Sequence, residues 1–326
     1  MLKTSFRKFC TGIVISVIFL FSFNAQDKSQ KEFEFNVIPQ IDFGVLQIDR
    51  ETVLYSPSAC LQFKYQKNEG SEIKGPDVIA GSLSYGQDFF LKNAAGYEEN
   101  LFHKLGLFGK IVSGKNTFLL KVDDRGAKPF ESHKSFEGLL FYARKIIDTD
   151  STQLDIGGGF AATDTGIVLA GIDIFVVPLP MIHFSYKNHI IDTELEWIGL
   201  PDGYITLFPQ NMFRIRSSFT LAGFDLPFDV QADIALCFYP FKTGFLKDLA
   251  SISVGASHEV KKFRINTKDS FKYDYFTAYG QVSITALTVR GGYAFAGRKI
   301  VRGKDSKNIQ TYEGGFFATI QAMYKF

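Results

Sequence analysis

Residues 228–239 read Phe-Asp-Val-Gln-Ala-Asp-Ile-Ala-Leu-Cys-Phe-Tyr, and this stretch decides the fold class. Successive side chains of a β-strand point to opposite faces, so the even-numbered residues share one face and the odd-numbered residues share the other. The even face is apolar throughout and includes Ile234 and Phe238, whereas the odd face carries Asp229 and Asp233. The stretch therefore predicts a strand that separates an apolar surface from a polar one.

The same alternation recurs along the chain. It is clear in residues 33–42, 191–197, 212–221, 278–285 and 287–293. Segments of about ten residues with one apolar and one polar face are typical of a transmembrane β-barrel, whose strands turn one row of side chains to lipid and the other to the lumen. Helical spacing fits these segments less well. We therefore expect an all-β chain that forms a single antiparallel transmembrane barrel.

The composition supports a β protein and excludes two other classes. Hydrophobic residues make up 46% of the chain, charged residues 21% and aromatic residues 15%. These values argue against a disordered chain. The 36 Lys and Arg residues nearly balance the 34 Asp and Glu residues, so no basic face for nucleic acid is expected.

The N-terminal segment has the composition of a secretory signal peptide. Lys3, Arg7 and Lys8 precede an apolar run over residues 12–23, which is shorter than the roughly 20 residues that a membrane helix needs. We expect cleavage after Ala25, which divides the chain into a signal peptide, residues 1–25, and a barrel, residues 26–326. An uncleaved anchor is the alternative.

Turn-forming residues separate the predicted strands. Such clusters occur at residues 68–70, 113–116, 148–151, 164–166, 187–189, 201–203 and 209–211. Longer polar stretches at residues 92–100, 123–134, 261–272 and 297–307 are expected to form the loops of one rim. Allowing about 22 residues for a strand and its connection predicts about 12 to 14 strands.

The C-terminal stretch, residues 316–326, alternates in the same way and ends on Phe326. It resembles the assembly signal of outer-membrane β-barrels of diderm bacteria, and Tyr324 and Phe326 occupy its aromatic positions. The resemblance implies a porin-like barrel in the outer membrane, in contact with lipid and inserted by the barrel-insertion machinery. Pro178-Leu179-Pro180 and Gly199-Leu200-Pro201 resemble elements of an uncharacterised porin-like family, which brings no known activity with it.

If the apolar faces meet lipid, the polar faces line the lumen. The predicted pore-lining residues are Lys104, Lys110, Asp192, Glu194, Glu196, Arg214, Arg216, Asp229, Asp233 and Arg290. Three acidic residues share one strand and two arginines lie one or two strands away, an arrangement that could align polar solutes in a water-filled pore. The alternative is a lumen closed by paired charges. The glycines at 157–159 are expected to form a bend that relieves crowding on the inner wall.

These observations predict a conduit for small hydrophilic solutes that needs no cofactor. One alternative is an adhesin or receptor that acts through long loops such as residues 123–134. A lipid hydrolase is a lesser alternative, because His183 and Ser185 have the spacing of a base and its nucleophile. Both are expected to face the lumen, away from lipid, so we predict no enzyme.

Three further side-chain types carry expectations of their own. The five histidines and the two cysteines beyond the signal segment, Cys60 and Cys237, have no spacing that predicts a metal site, and a disulfide would need neighbouring strands. The single tryptophan, Trp197, is expected in the aromatic girdle at the membrane interface.

Overall fold

The computed structural model describes residues 33–50, 52–68, 75–91, 100–128, 136–162, 168–169, 172–173, 176–198, 200–221, 229–241, 243–244, 246, 248–265, 270–302 and 307–324. The predicted signal peptide and Phe326 lie outside these residues. All regular structure in the described residues is β-strand. No helix in this part of the chain has the length and apolar character to cross a membrane.

The strands are numbered in chain order. They are β1 (Phe33–Gln47), β2 (Val53–Lys67), β3 (Val78–Phe90), β4 (Leu101–Ser113), β5 (Asn116–Gly126), β6 (Phe136–Asp148), β7 (Thr152–Ala162), β8 (Val168–Leu169), β9 (Ile172–Asp173), β10 (Val176–Lys187), β11 (Ile191–Ile198), β12 (Leu200–Leu207), β13 (Phe213–Leu221), β14 (Val230–Phe238), β15 (Ala250–Arg264), β16 (Ser270–Ile284), β17 (Leu287–Arg302), β18 (Lys307–Tyr312) and β19 (Gly315–Met323).

The strands close into a barrel. Each pairs antiparallel with its neighbours, and β1 pairs with both β2 and β19. Strands β18 and β19 both pair with β17 and form consecutive parts of one barrel strand, whereas β8 and β9 form a separate hairpin. The described residues thus form sixteen barrel strands. The predicted antiparallel barrel is confirmed, and the predicted number of 12 to 14 strands is too low.

The strand number was underestimated because some connections are very short. Strands β4 and β5 are joined by residues 114–115, and β16 and β17 by residues 285–286. The Pro201-Asp202-Gly203 cluster, predicted as a turn, lies inside β12, where Pro201 pairs with Trp197 and Gly203 with Leu195. The pairing of β11 with β12 extends to Ile198 and Leu200, so a strand was hidden by residues of turn-like composition.

The two rims of the barrel differ. We call the rim where β1 begins and β19 ends the proximal rim, and the opposite one the distal rim. Three short connections, residues 114–115, 149–151 and 285–286, lie at the proximal rim. The four long polar stretches predicted as loops all fall at the distal rim. However, much of residues 261–272 and 297–307 belongs to β15, β16 and β17, and residues 123–126 belong to β5, because these strands are longer than expected.

The outer face of the barrel is apolar and exposed. Alternating positions along the strands present side chains such as Leu83, Leu140, Ile234, Val254 and Ile284 with 52–61% of their surface exposed. So many exposed apolar side chains on regular alternate positions match the lipid-facing band of a membrane barrel. The fold therefore places the opposite face of each strand in the lumen.

Strands β6 and β10 flank β7 and also contact each other, so the wall turns a sharp corner at β7. A Cβ at Gly157 would lie 1.9 Å from the carbonyl oxygen of Tyr142, and a Cβ at Gly159 would lie 2.0 Å from that of Leu140. Only glycine allows the neighbouring backbone this close. The predicted bend at residues 157–159 is thus present on the inner wall.

Opposite walls meet at the distal rim. Strands β5 and β15 lie eight positions apart in either direction round the barrel. Nevertheless, the amide of Ala127, which follows β5, donates a 3.0 Å hydrogen bond to the carbonyl of Arg264, the last residue of β15. Beside this contact lies a buried aromatic cluster, which comprises Phe90, Phe102, Phe263, Phe271 and Tyr273. Its ring centroids are 4.8–6.1 Å apart. The cluster fills the lumen between β3–β4 and β15–β16.

Candidate functional site: a charged cavity in the lumen

Two adjoining cavities follow strands β12, β13 and β14. The larger, of about 1150 Å³, is bordered at the proximal rim by residues 209–214, Tyr239 and Asp248. The smaller, of about 340 Å³, reaches Thr220 near the distal end of β13. Tyr204, Thr206 and Arg216 border both cavities. Together the cavities extend along the inner wall from one end of β13 to the other.

The inner face of β13 is open to water. Arg216, Ser218 and Thr220 are exposed although they lie opposite the outward-facing Ile215 and Phe219. A strand that is exposed on both faces can have only lipid on one side and solvent on the other. This part of the lumen is therefore not packed shut, in contrast to the aromatic cluster at the distal rim.

The two arginines of β13 have different surroundings. Arg214 donates a hydrogen bond to the Asp248 carboxylate, and its guanidinium lies 3.8 Å from the ring centroid of Tyr239. Arg216 has no ion-pair partner in the described part of the chain and lies where the two cavities meet. Its charge is therefore available to a solute, whereas the charge of Arg214 is already balanced.

The smaller cavity ends at a group of hydrogen-bonded and ion-paired side chains around Arg290. The guanidinium stacks 3.6 Å from the ring centroid of Tyr279 and contacts Asp233 at 3.4 Å and Glu259 at 3.2 Å. The Tyr279 hydroxyl lies 2.8 Å from each oxygen of Asp233, and Arg290 also donates to Ser257 at 2.8 Å. These contacts balance charges that are partly withdrawn from water, since 20% of the Arg290 side chain, 27% of Asp233 and 36% of Glu259 remain exposed.

A second polar row crosses strands β7, β10, β11 and β12. Asp155, His183, Glu196 and Asp202 are successive cross-strand neighbours in this row. His183 lies between two carboxylates, with Nδ1 3.3 Å from Asp155 and Nε2 3.0 Å from Glu194. Two residues of the row, Glu196 and Asp202, have no ion pair in the part of the chain that the structure describes. The row therefore combines one paired carboxylate, that of Asp155, with two open ones.

Basic side chains face this row across the lumen. Lys110 of β4 interacts electrostatically with Glu196, and Lys121 of β5 with Asp202. The prediction included Lys110 among the pore-lining residues but not Lys121, and it did not place either opposite this row. The corner at β7 brings β4 and β5 to face β11 and β12, and this contact between distant strands could not be deduced from alternation.

The ten residues predicted to line a pore fall into three sets. The first borders the two cavities: Asp192, Arg214, Arg216, Asp233 and Arg290. The second belongs to the polar row and its surroundings: Glu194, Glu196 and Lys110. The third forms ion pairs outside both: Lys104 with Asp88, and Asp229 with Lys262 and Lys272. Whether they line a conducting pore stays a prediction.

The prediction missed several residues of the cavities. Tyr204 and Thr206 were missed because the turn-like sequence before them concealed β12. Glu259 and Tyr279 lie on β15 and β16, and their approach to Asp233 and Arg290 depends on register between strands. The strand phase alone would have placed all four on an inner face.

The two cysteines are free, with Cys60 on β2 and Cys237 on β14. Tyr324 donates its backbone amide to the Pro39 carbonyl at 3.1 Å, which extends the β1–β19 pairing by one hydrogen bond. The role of Tyr324 and Phe326 as an assembly signal stays a prediction.

The chain is similar to several solved structures of bacterial proteins, one of them a porin. The Acinetobacter baumannii OccAB4 structure has 11% identity and a TM-score of 0.36, and the match covers 92% of this chain and 100% of that one. The Pseudomonas aeruginosa OpdQ structure has 9% identity and a TM-score of 0.37, and the match covers 91% of this chain and 99% of that one. A triple mutant of the Rhodopseudomonas blastica porin has 7% identity and a TM-score of 0.37, and the match covers 90% of this chain and 100% of that one.

The described residues of the chain form a closed antiparallel β-barrel of sixteen strands. Its closed strand order and apolar outer face agree with the expected location in the outer membrane of a diderm bacterium. No model of a protein family matches the sequence, and no curated protein matches it. The resemblance of residues 178–180 and 199–201 to an uncharacterised porin-like family therefore stays a prediction.

Proposed function

We propose that the barrel conducts small hydrophilic solutes along the inner face of β12, β13 and β14. The observation that carries this proposal is the pair of adjoining cavities that extend along β13 and meet at Arg216. Exposed polar side chains line them on β13, and paired charges border them on β14–β17. Such a lining favours polar solutes over apolar ones.

The charge of Arg216 should set the ion preference of this path. In water, a unit charge acts on an ion about 4 Å away with about 1 kcal/mol. Since the charge repels cations and attracts anions by that amount, replacing Arg216 by Gln should raise the cation-to-anion permeability ratio by up to about thirtyfold. The measurement is the reversal potential in a salt gradient across a planar bilayer that contains the refolded chain 26–326.

A matched control removes a positive charge elsewhere. Lys115 is exposed in the β4–β5 turn and borders neither cavity. Lys115→Gln should leave the reversal potential within experimental error of the parent barrel. Equal shifts for Lys115→Gln and Arg216→Gln would contradict the proposed path.

We further infer that the barrel is not an enzyme. His183, the candidate base, lies between Asp155 and Glu194, and no hydrogen bond to Ser185 is found among the described residues. Both His183 and Ser185 share the inner face of β10, whereas the outward-facing Phe184 lies between them. Ser185→Ala should therefore leave phospholipid turnover by the refolded barrel at the background level of empty vesicles.

The proposed partners follow from the two surfaces. The apolar outer face would contact outer-membrane lipid, and the lumen would contact small polar solutes. The C-terminal Tyr324 and Phe326 would be read by the barrel-insertion machinery. Deleting Phe326 should then lower the amount of barrel inserted in cells, with little effect on refolding in detergent.

A further inference from the structure

The barrel wall is shorter at the β11–β12 hairpin than at the neighbouring strand β10, and we call this part the low wall. Strands β11 and β12 have 8 residues each, whereas β10 has 12 and β17 has 16. A tilted transmembrane strand needs about 9–11 residues to cross the hydrocarbon layer. The tip of this hairpin, at Ile198 and Leu200, should therefore end inside the hydrocarbon layer on the distal side.

Strand β10 continues past this tip, and on the β11 side its extension has no strand partner among the described residues. Its pairing with β11 begins at Met181, whereas Val176–Pro180 pairs only with β7 among the described residues. An unpaired strand edge in lipid is costly because its amide groups have no partner. Pro178 and Pro180 lower this cost, since proline has no amide hydrogen to leave unpaired.

The low wall is apolar on both sides. Val176, Pro178 and Pro180 are exposed on the outer side of β10. On the inner side, Met181 packs in a cluster with Leu119 and Phe141, and Leu179 and Ile198 pack against that cluster. An alkyl chain that crosses over the hairpin tip would therefore meet apolar side chains along its whole course.

Charged groups border the inner apolar cluster. Glu196 lies two residues before Ile198 on the same face of β11, beside Asp202, and neither has an ion pair in the described residues. Lys110 pairs in register with Leu119 and interacts electrostatically with Glu196. The inner end of the apolar surface thus offers two open carboxylates and a facing ammonium group.

We propose that the low wall is a lateral portal between the lumen and the bilayer for a single-chain amphiphile with a zwitterionic head. The head would place its ammonium group at Glu196 and Asp202 and its phosphate towards Lys110. The alkyl chain would pass over the hairpin tip into the membrane. This function goes beyond solute conduction and needs no ion flow, so a silent barrel would leave it testable.

The first test uses Trp197, the single tryptophan of the chain, which lies next to the hairpin tip and is 43% exposed on the outer face. Its fluorescence is measured in bilayers of phospholipids brominated at shallow or deep chain positions. The portal predicts strongest quenching by bromines near the middle of the chains. Strongest quenching by shallow bromines would place the tip at the membrane interface and overturn the proposal.

A second tryptophan position calibrates this measurement. Phe213 is 59% exposed on the outer face at the proximal end of β13. The variant Trp197→Phe with Phe213→Trp should be quenched most strongly by the shallow bromines. Equal depth profiles for the two positions would also overturn the low wall.

The second test detects the amphiphile itself. Lysophosphatidylethanolamine with a brominated acyl chain, kept below its micellar concentration, should quench Trp197 with a saturable component. Glu196→Gln combined with Asp202→Asn should remove that component while the depth profile in brominated phospholipids stays unchanged. Non-saturable quenching in the parent barrel, or equal saturation in the double variant, would overturn the proposed head site.

Discussion

At the scale of single residues, the lumen contains both balanced and open charges. Arg290 is held by Asp233, Glu259 and the ring of Tyr279, whereas Arg216 has no such partner among the described residues. These charges are partly withdrawn from water and balance one another, so removing one partner should weaken the whole group. Arg216 is exposed to water, which leaves its charge available to act on solutes.

The Tyr279 hydroxyl should contribute measurably to this unit. Tyr279→Phe removes the 2.8 Å hydrogen bonds to Asp233 but leaves the ring under Arg290. We expect the free energy of unfolding to fall by about 1–3 kcal/mol, because a charged acceptor loses its donor. Urea-induced unfolding in detergent measures the change.

Tyr142→Phe is the matched control. Its hydroxyl donates to Asn116 on the exposed outer face of the barrel. This variant should change the free energy of unfolding by less than about 0.5 kcal/mol. A Tyr279→Phe variant as stable as Tyr142→Phe would show that the Arg290 group does not hold the wall.

At the scale of strands, β7 determines how the walls face each other. Its glycines let β6 and β10 approach closely, and this corner brings Lys110 of β4 opposite Glu196 of β11. The uncharged glycines of β7 thus determine which charged side chains face each other across the lumen.

Two adjacent glycines of β7 should tolerate a methyl group very differently. A Cβ at Gly159 would lie 2.0 Å from the Leu140 carbonyl oxygen, whereas at Gly158 the nearest atom would be 3.4 Å away. Gly159→Ala should lower the free energy of unfolding by about 1–3 kcal/mol, which is typical of an overpacked site. Gly158→Ala should leave the free energy of unfolding close to that of the parent. The stability of both variants is compared by the heat-induced shift in electrophoretic mobility, and a Gly158→Ala barrel less stable than Gly159→Ala would contradict the corner.

The sequence predicted the phase of most strands because alternation is a local signal. It predicted Asp192, Glu194, Arg214 and Arg216 as inward-facing, and each lies opposite an apolar outer row. It missed β12, since Pro201, Asp202 and Gly203 favour turns locally but are held extended by pairing with β11 and β13. Contacts across the lumen, such as Ala127 with Arg264, depend on the bend of the whole wall and leave no local pattern.

At the scale of the whole molecule, the barrel is closed on one side and open on the other. The aromatic cluster fills the lumen between β3–β4 and β15–β16 at the distal rim, and the Ala127–Arg264 hydrogen bond joins opposite walls. The two cavities follow β12–β14 instead. A solute would therefore pass through the barrel off its axis, beside the low part of the wall.

This off-axis path is tested most directly by placing one cysteine on each face of β13. Cys60 and Cys237 are first replaced by alanine in the chain 26–326, and Ser218→Cys or Ile215→Cys is then added. Ser218 faces the cavity, whereas Ile215 is exposed on the outer, lipid-facing side. Single-channel current is recorded before and after a charged methanethiosulfonate reagent is added.

We expect stable current steps that fall when the reagent modifies Ser218→Cys and stay unchanged with Ile215→Cys. Unchanged steps after confirmed modification of Ser218→Cys, or a folded and inserted barrel that carries no current, would contradict a solute path along β13.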